Sequence, residues 1–134
     1  MNVCCNINIT INFERRQGTV LCLHEYDIYG NVTYMQDAGG GEWHYAYDFL
    51  GRKISETDAN GHTTKYTYDA NGNRTGIIYP NGLIVEMMYD AVNRMMGVST
   101  TGTTVVNGET KSRKLTVHYD YDVLGSQILY LILV

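Results

Sequence analysis

The dipeptide Tyr-Asp recurs in this chain on a fixed beat. Tyr26-Asp27, Tyr47-Asp48, Tyr68-Asp69 and Tyr89-Asp90 follow one another at intervals of 21 residues, and Tyr121-Asp122 comes 32 residues after the last. A fixed internal period is the mark of a repeat architecture. Each aspartate, glycine and tyrosine is therefore first a column of a repeat and only second a candidate site.

The columns define the unit. Gly falls four residues after the Tyr (Gly30, Gly51, Gly72), and a second Gly falls fourteen after it (Gly40, Gly61, Gly82). Asn31, Arg52 and Asn73 follow the first glycine, and Asp37 and Asp58 open the second turn, with Tyr79 in their place in the third unit. Each unit thus holds two turn signals, Asp-x-x-Gly and Asp-x-Asn-Gly or a variant. Asp accepts from backbone N–H groups just ahead of it, and Gly takes the positive φ that other residues resist. Asp27, Gly30, Asp48, Gly51, Asp69, Gly72, Asp90 and Gly125 are accordingly read as structural turn residues.

Between the turns lie runs of about six residues rich in Thr, Tyr, Ile and Val, such as 52–57 and 62–68, which suit strands. In Tyr45/Tyr47, Tyr66/Tyr68 and Tyr119/Tyr121 the spacing of two puts both rings on one face of a strand. Successive units are expected to stack these tyrosines as cross-strand ladders. One unit is then a pair of antiparallel strands, and the chain an all-β meander of hairpins forming a twisted sheet strip. A lone hairpin is marginal in water, so each unit needs its neighbours.

The fourth unit departs from the beat. Asn93 stands in the glycine column, and the stretch 97–114 carries an insertion with Asn107-Gly108 as a hairpin turn. Residues 1–23 lie outside the repeat, although Ile7, Ile9, Ile11 and Phe13 alternate as a strand would. Residues 24–134 form the array, with units starting at 26, 47, 68, 89 and 121. The apolar run 128–134 would be an aggregation hazard at a sheet edge, which favours a piece of a longer array.

Composition narrows function. The net charge of -4 and the scattered Lys and Arg argue against a basic nucleic-acid face. Cys4, Cys5 and Cys22 make neither a disulfide framework nor a CxxC metal pattern. No signal peptide is visible at the start, and 128–134 is far shorter than a membrane span.

The segments Tyr45-Ala46-Tyr47-Asp48-Phe49-Leu50-Gly51-Arg52 and Tyr66-Thr67-Tyr68-Asp69-Ala70-Asn71-Gly72-Asn73-Arg74 resemble the YD repeat of the RHS (rearrangement hotspot) family. Tyr119-Asp120-Tyr121-Asp122-Val123-Leu124-Gly125 matches without the Arg, and the resemblance covers about residues 24 to 126. It implies large exported or surface-linked proteins, among them bacterial toxins, toxin-complex subunits and teneurins. In these, YD repeats wind a β-sheet strip into a hollow shell, which in the toxins encloses an effector domain. The partners it implies are neighbouring YD repeats or an encapsulated toxin domain, with glycans as a further class. The place it implies is extracellular or at the cell surface. At 134 residues the chain is too short to close a shell by itself.

Candidate sites are few. A periodic Asp column serves the turn that every unit has, whereas an active site needs one special constellation, so no catalysis and no cofactor are expected. Asp69-x-Asn71-x-Asn73 echoes the opening of a calcium loop, but Arg74 takes the glycine position and Pro80 that of the final Glu. His24, His44, His62 and His118 lack ligand spacing. The alternative function is carbohydrate binding, with Trp43, Tyr45, Tyr47 and Tyr68 as rings on which a pyranose could stack. Against that stands the bland reading, in which these rings pack on one another across strands.

Overall fold

A computed structural model describes residues 15–16, 19–20, 22–122 and 125–133. The expected strand over 7–13 and the Cys4-Cys5 pair lie outside the described residues. The elements are β1 (Arg15–Arg16), β2 (Thr19–Val20), β3 (Cys22–Tyr26), β4 (Val32–Asp37), β5 (Glu42–Tyr47), β6 (Lys53–Thr57), β7 (Thr63–Tyr68), β8 (Arg74–Ile78), β9 (Ile84–Tyr89), β10 (Met95–Val106), β11 (Glu109–Tyr121) and β12 (Gln127–Leu133). No helix occurs among the described residues. β1 and β2 form a short ladder of their own, and the strands from β3 to β12 follow one another in an open antiparallel sheet in chain order. The fold is the all-β hairpin meander that the repeat columns predict.

Two compact units divide the chain at Thr63/Thr64. In the first, β3 to β6 are joined by tight turns. In the second, β10 and β11 extend the meander as a long hairpin, paired from Gly97↔His118 to Val106↔Glu109. Its turn is Asn107-Gly108, with φ of 53° and 80°. Both central residues of a type I′ turn need positive φ, which is why Asn-Gly serves there.

The strands start one residue later than the runs suggest, at Lys53 and Thr63. Arg52 and His62 belong to the turns instead, because their N–H groups donate to Asp48 Oδ1 (3.0 Å) and Asp58 Oδ1 (2.9 Å).

The register shows a second feature with the period of the repeat. Glu25 faces Tyr34 and Tyr26 faces Val32, so Thr33 is left over. Ile54, Thr75 and Met96 are skipped in the same way on β6, β8 and β10. One bulge thus follows each of these Tyr-Asp turns, opposite the step onto the tyrosine. Bulges add local twist and bend the bulged strand. In the fifth copy Asp120↔Ile128 and Tyr121↔Gln127 pair without a skipped residue.

The described part of the sheet shows no hydrophobic core. Among the described residues no hydrophobic side chain is buried, and the one buried polar side chain is Ser99, at 3% exposure. Both faces are half-open, as the frequent Tyr and Thr suit.

The expected tyrosine ladders are not seen among the described strand pairings. Tyr45 and Tyr47 face Glu56 and Lys53, while Tyr66 and Tyr68 face Ile77 and Arg74. The reason is geometric. A unit contributes two strands, so like tyrosines such as Tyr68 on β7 and Tyr89 on β9 have β8 between them, at roughly 10 Å. Each ring meets a different partner. Lys53 Nζ lies 5.3 Å from the Tyr45 ring centroid, and the guanidinium of Arg74 lies 5.0 Å from that of Tyr66. The hydroxyl of Tyr89 donates to the carbonyl of Arg74 (3.0 Å), and that of Tyr121 to the carbonyl of Met95 (2.8 Å). Both acceptors open the preceding strand, one residue before the skipped Thr75 and Met96.

Candidate functional site

The most regular constellation is the turn. Asp27 Oδ1 accepts from the N–H of Tyr29 (2.9 Å) and of Asn31 (2.9 Å), and its Oδ2 accepts from the Asn31 side-chain amide (2.9 Å). The backbone closes the same ring: Asp27 N–H donates to Asn31 O and Gly30 N–H to Asp27 O. Asp48, Asp69 and Asp90 repeat this backbone ring, and so does the second turn at Asp37 and Asp58. The fourth residue after the Asp supplies the side-chain donor: Arg52 (2.7 Å), His62 (3.2 Å), Asn73 (2.9 Å) or Arg94 (2.7 Å). That donor explains the Asn/Arg column, whose role sequence reading had not found although the column itself was visible.

These hydrogen bonds hold the carboxyls below the usual Asp range. At Asp27 and Asp69 the side-chain amides of Asn31 and Asn73 are the largest influence, and at Asp58 it is the His62 N–H. At Asp48 and Asp90 desolvation is the largest influence and pushes upward. The N–H groups and guanidiniums of Arg52 and Arg94 outweigh it. A carboxylate so engaged on both oxygens is committed to its turn rather than poised as a base.

Neighbouring first turns also touch. Asn31 Oδ1 lies 3.9 Å from where a Cβ on Gly51 would sit. In the second unit Asn93 Oδ1 accepts from the side chains of Asn71 (3.0 Å) and Asn73 (2.7 Å). Asn93 has φ of 64°, so it keeps the left-handed backbone of its column while linking two turns.

The candidate aromatic site divides. Trp43, Tyr45 and Tyr47 occupy alternate positions of β5 and share one face, all half-exposed. Tyr68 belongs to the other compact unit, on β7. The Trp43 indole folds back over its own turn, within 3.0 Å of a Cβ built on Gly41. Burial pushes the Tyr47 hydroxyl above the usual phenol range, against the pull of nearby Lys53. Lys53 and Glu56 complete this face with an ion pair of 2.6 Å beside the Tyr45 ring. Rings with flanking charged groups can stack on a sugar and hydrogen-bond to it.

A shallow hollow of about 670 Å³ lies on the second unit, and no sequence signal pointed to it. Its lining includes Thr67, Gly76, Ser99 and Thr116, with the Glu86–Lys114 ion pair (3.4 Å) at its side. Thr116 Oγ1 donates to Ser99 Oγ (3.3 Å). Ile78, Ile84, Val85, Met87 and Met88 also line it, so the hollow is more apolar than polar.

Comparison with known families and structures agrees with this geometry. The RHS repeat model matches residues 50–84. This stretch is similar to the RHS repeat. It runs from the first-turn tip at Leu50 through β6, β7 and β8 into β9. No curated protein sequence matches the chain significantly. Among solved structures, the crystal structure of TcdB2-TccC3 matches with a TM-score of 0.63 and 23% identity over 84% of this chain. The crystal structure of TcdB2-TccC3-Cdc42 matches with a TM-score of 0.62 and 24% identity over the same share. The chain spans only 6% and 5% of those two chains. At this identity the likeness is one of fold: this chain has the strand geometry of a small stretch of much larger molecules.

Proposed function

We propose that this segment is RHS-type wall material: part of an exported or surface protein whose sheet encloses a toxin or other cargo domain, with no catalysis of its own. The observation that carries the reading is an open sheet in which no described hydrophobic side chain is buried. Such a sheet gains stability from more of its own kind at its ends and from something on its face. The partners on this reading are further YD repeats and the enclosed domain, and the place of action is outside the cell. Residues 24–134 act as the array and 1–23 as a lead-in, with 97–114 as the insertion. Two assays test it. In a protein carrying the further repeats, the enclosed domain resists protease, and Gly51→Val with Gly72→Val exposes it. Against chromogenic esters, glycosides, phosphates and peptides the chain shows no turnover. A measurable turnover lost on Asp48→Asn and Asp69→Asn overturns the structural reading.

The second reading, a carbohydrate-binding surface, is favoured by the row Trp43, Tyr45 and Tyr47 with Lys53 and Glu56 on one face. Glycan-array binding that disappears on Trp43→Ala, with an unchanged circular dichroism spectrum, supports it. Silence on the array removes it. Tyr68 enters this reading only if Tyr68→Ala weakens the same binding.

A further inference from the structure

The tips of the first turns carry side chains that turns ordinarily avoid. In the first compact unit the two residues after the Asp are Ile28-Tyr29 and Phe49-Leu50. They are 55%, 79%, 89% and 60% exposed, respectively. In an antiparallel meander every second turn lies at the same end of the strands, so these two tips share one rim. The approach of Asn31 to Gly51 confirms that they are neighbours. The opposite rim has Ala38-Gly39 and Ala59-Asn60 in the corresponding places. Exposed large apolar groups gathered on one rim mark an interaction surface.

The backbone beneath these tips is prepared for a medium without water. Tyr29, Gly30 and Asn31 all donate their N–H groups within the turn, to Asp27 Oδ1, Asp27 O and Asp27 Oδ1. Leu50, Gly51 and Arg52 do the same to Asp48. Arg52 also neutralises the Asp48 carboxylate at 2.7 Å. Polar groups that are already paired cost little to remove from water.

We infer that this rim inserts into the interfacial region of a neutral lipid bilayer, with Phe49 and Leu50 as the deepest side chains and Ile28 and Tyr29 beside them. Two arguments choose a bilayer over a protein partner. A standard protein interface uses roughly 20–30 residues a side, and four side chains on two projecting tips fall far short. A bilayer demands no complementary shape, only apolar area that can enter it. The lipid is zwitterionic because the chain carries a net charge of -4, which gives anionic headgroups no attraction.

The test is flotation of the chain with phosphatidylcholine vesicles. The expected result is co-flotation that persists in high salt and is no stronger when phosphatidylserine is added. Phe49→Ser with Leu50→Ser weakens it by at least about tenfold. Ala59→Ser on the opposite rim leaves it unchanged. A separate variant, Phe49→Trp, becomes quenched by brominated phosphatidylcholine beyond the quenching of Trp43. Absence of flotation overturns the inference, as does flotation that the double variant retains or that salt abolishes. If the double variant instead abolishes self-association in lipid-free sedimentation and no flotation occurs, the rim serves a second copy of the chain and the bilayer is excluded.

Discussion

At the residue scale, the repeat columns are positions where backbone and side chain agree on one turn. Asp supplies Oδ1 to two N–H groups, Gly supplies the positive φ, and the next residue returns a donor to Oδ2. Gly51 has φ of 74° and Gly72 of 90°; a Cβ at Gly51 would make only an ordinary contact with Asn31 at 3.9 Å, and one at Gly72 would meet nothing. Substitution there is opposed by backbone conformation and not by crowding. Gly51→Val and Gly72→Val are each expected to cost about 1–2 kcal/mol, read as a lowered denaturant midpoint. Neutral midpoints for both would refute the left-handed turn. Asn93 shows that the column asks for a conformation rather than for glycine as such, since it holds φ of 64° and adds links to Asn71 and Asn73.

At the element scale, Tyr89 and Tyr121 close a seam between neighbouring strands and do not build a ladder. In these two copies the hydroxyl takes the carbonyl at the start of the preceding strand, as Tyr89 does at Arg74 and Tyr121 at Met95. Tyr89→Phe keeps the ring and removes that bond. It is expected to lower stability by about 0.5–1.5 kcal/mol without changing the circular dichroism spectrum. Strand glycines have a separate function from turn glycines. A Cβ on Gly97 would meet the backbone carbonyl of Val117 at 2.7 Å, whereas on Gly76 it would meet Thr67 Oγ1 at 2.5 Å. A threonine hydroxyl can rotate away but a paired strand cannot. Gly97→Ala is therefore expected to cost about 1–3 kcal/mol in chemical denaturation, and more than Gly76→Ala. Equal losses would mean that β11 yields as readily as a side chain.

At the scale of the whole molecule, the turns add up to a pH dependence. Asp27, Asp48, Asp58, Asp69 and Asp90 all have carboxyls held below the ordinary value near 3.8. A carboxyl depressed in the fold contributes stability that is complete above its unfolded value and lost as pH falls through its folded one. The melting temperature is thus expected to hold level down to about pH 5 and to fall below about pH 4. Five shallow contributions should act together because each turn has the same construction. Asp48→Asn with Asp69→Asn should flatten the acid limb in differential scanning calorimetry, and an unchanged limb would show that these carboxyls are not its source. With no buried hydrophobic side chain among the described residues, the molecule has few other reserves against such losses.

Local chemistry made the fold class legible. The 21-residue beat, the Thr- and Tyr-rich runs and the Asn-Gly at 107–108 are all choices that a single turn or strand enforces on its own residues. They yielded the hairpin meander and the likeness to the RHS repeat. What remained hidden depends on which strand lies beside which. Nothing in the spacing of Tyr45 and Tyr47 says that Glu56 and Lys53 stand opposite them, or that Thr33, Ile54, Thr75 and Met96 are skipped. Pairing across strands is a tertiary fact, set by turn length and bulge, and it decided what Tyr45, Tyr47, Tyr66 and Tyr68 face on β6 and β8. It also brought Ile28-Tyr29 and Phe49-Leu50 to one rim. The sequence alone determined that this chain repeats a turn. Only the assembled sheet decided what those turns and rings face.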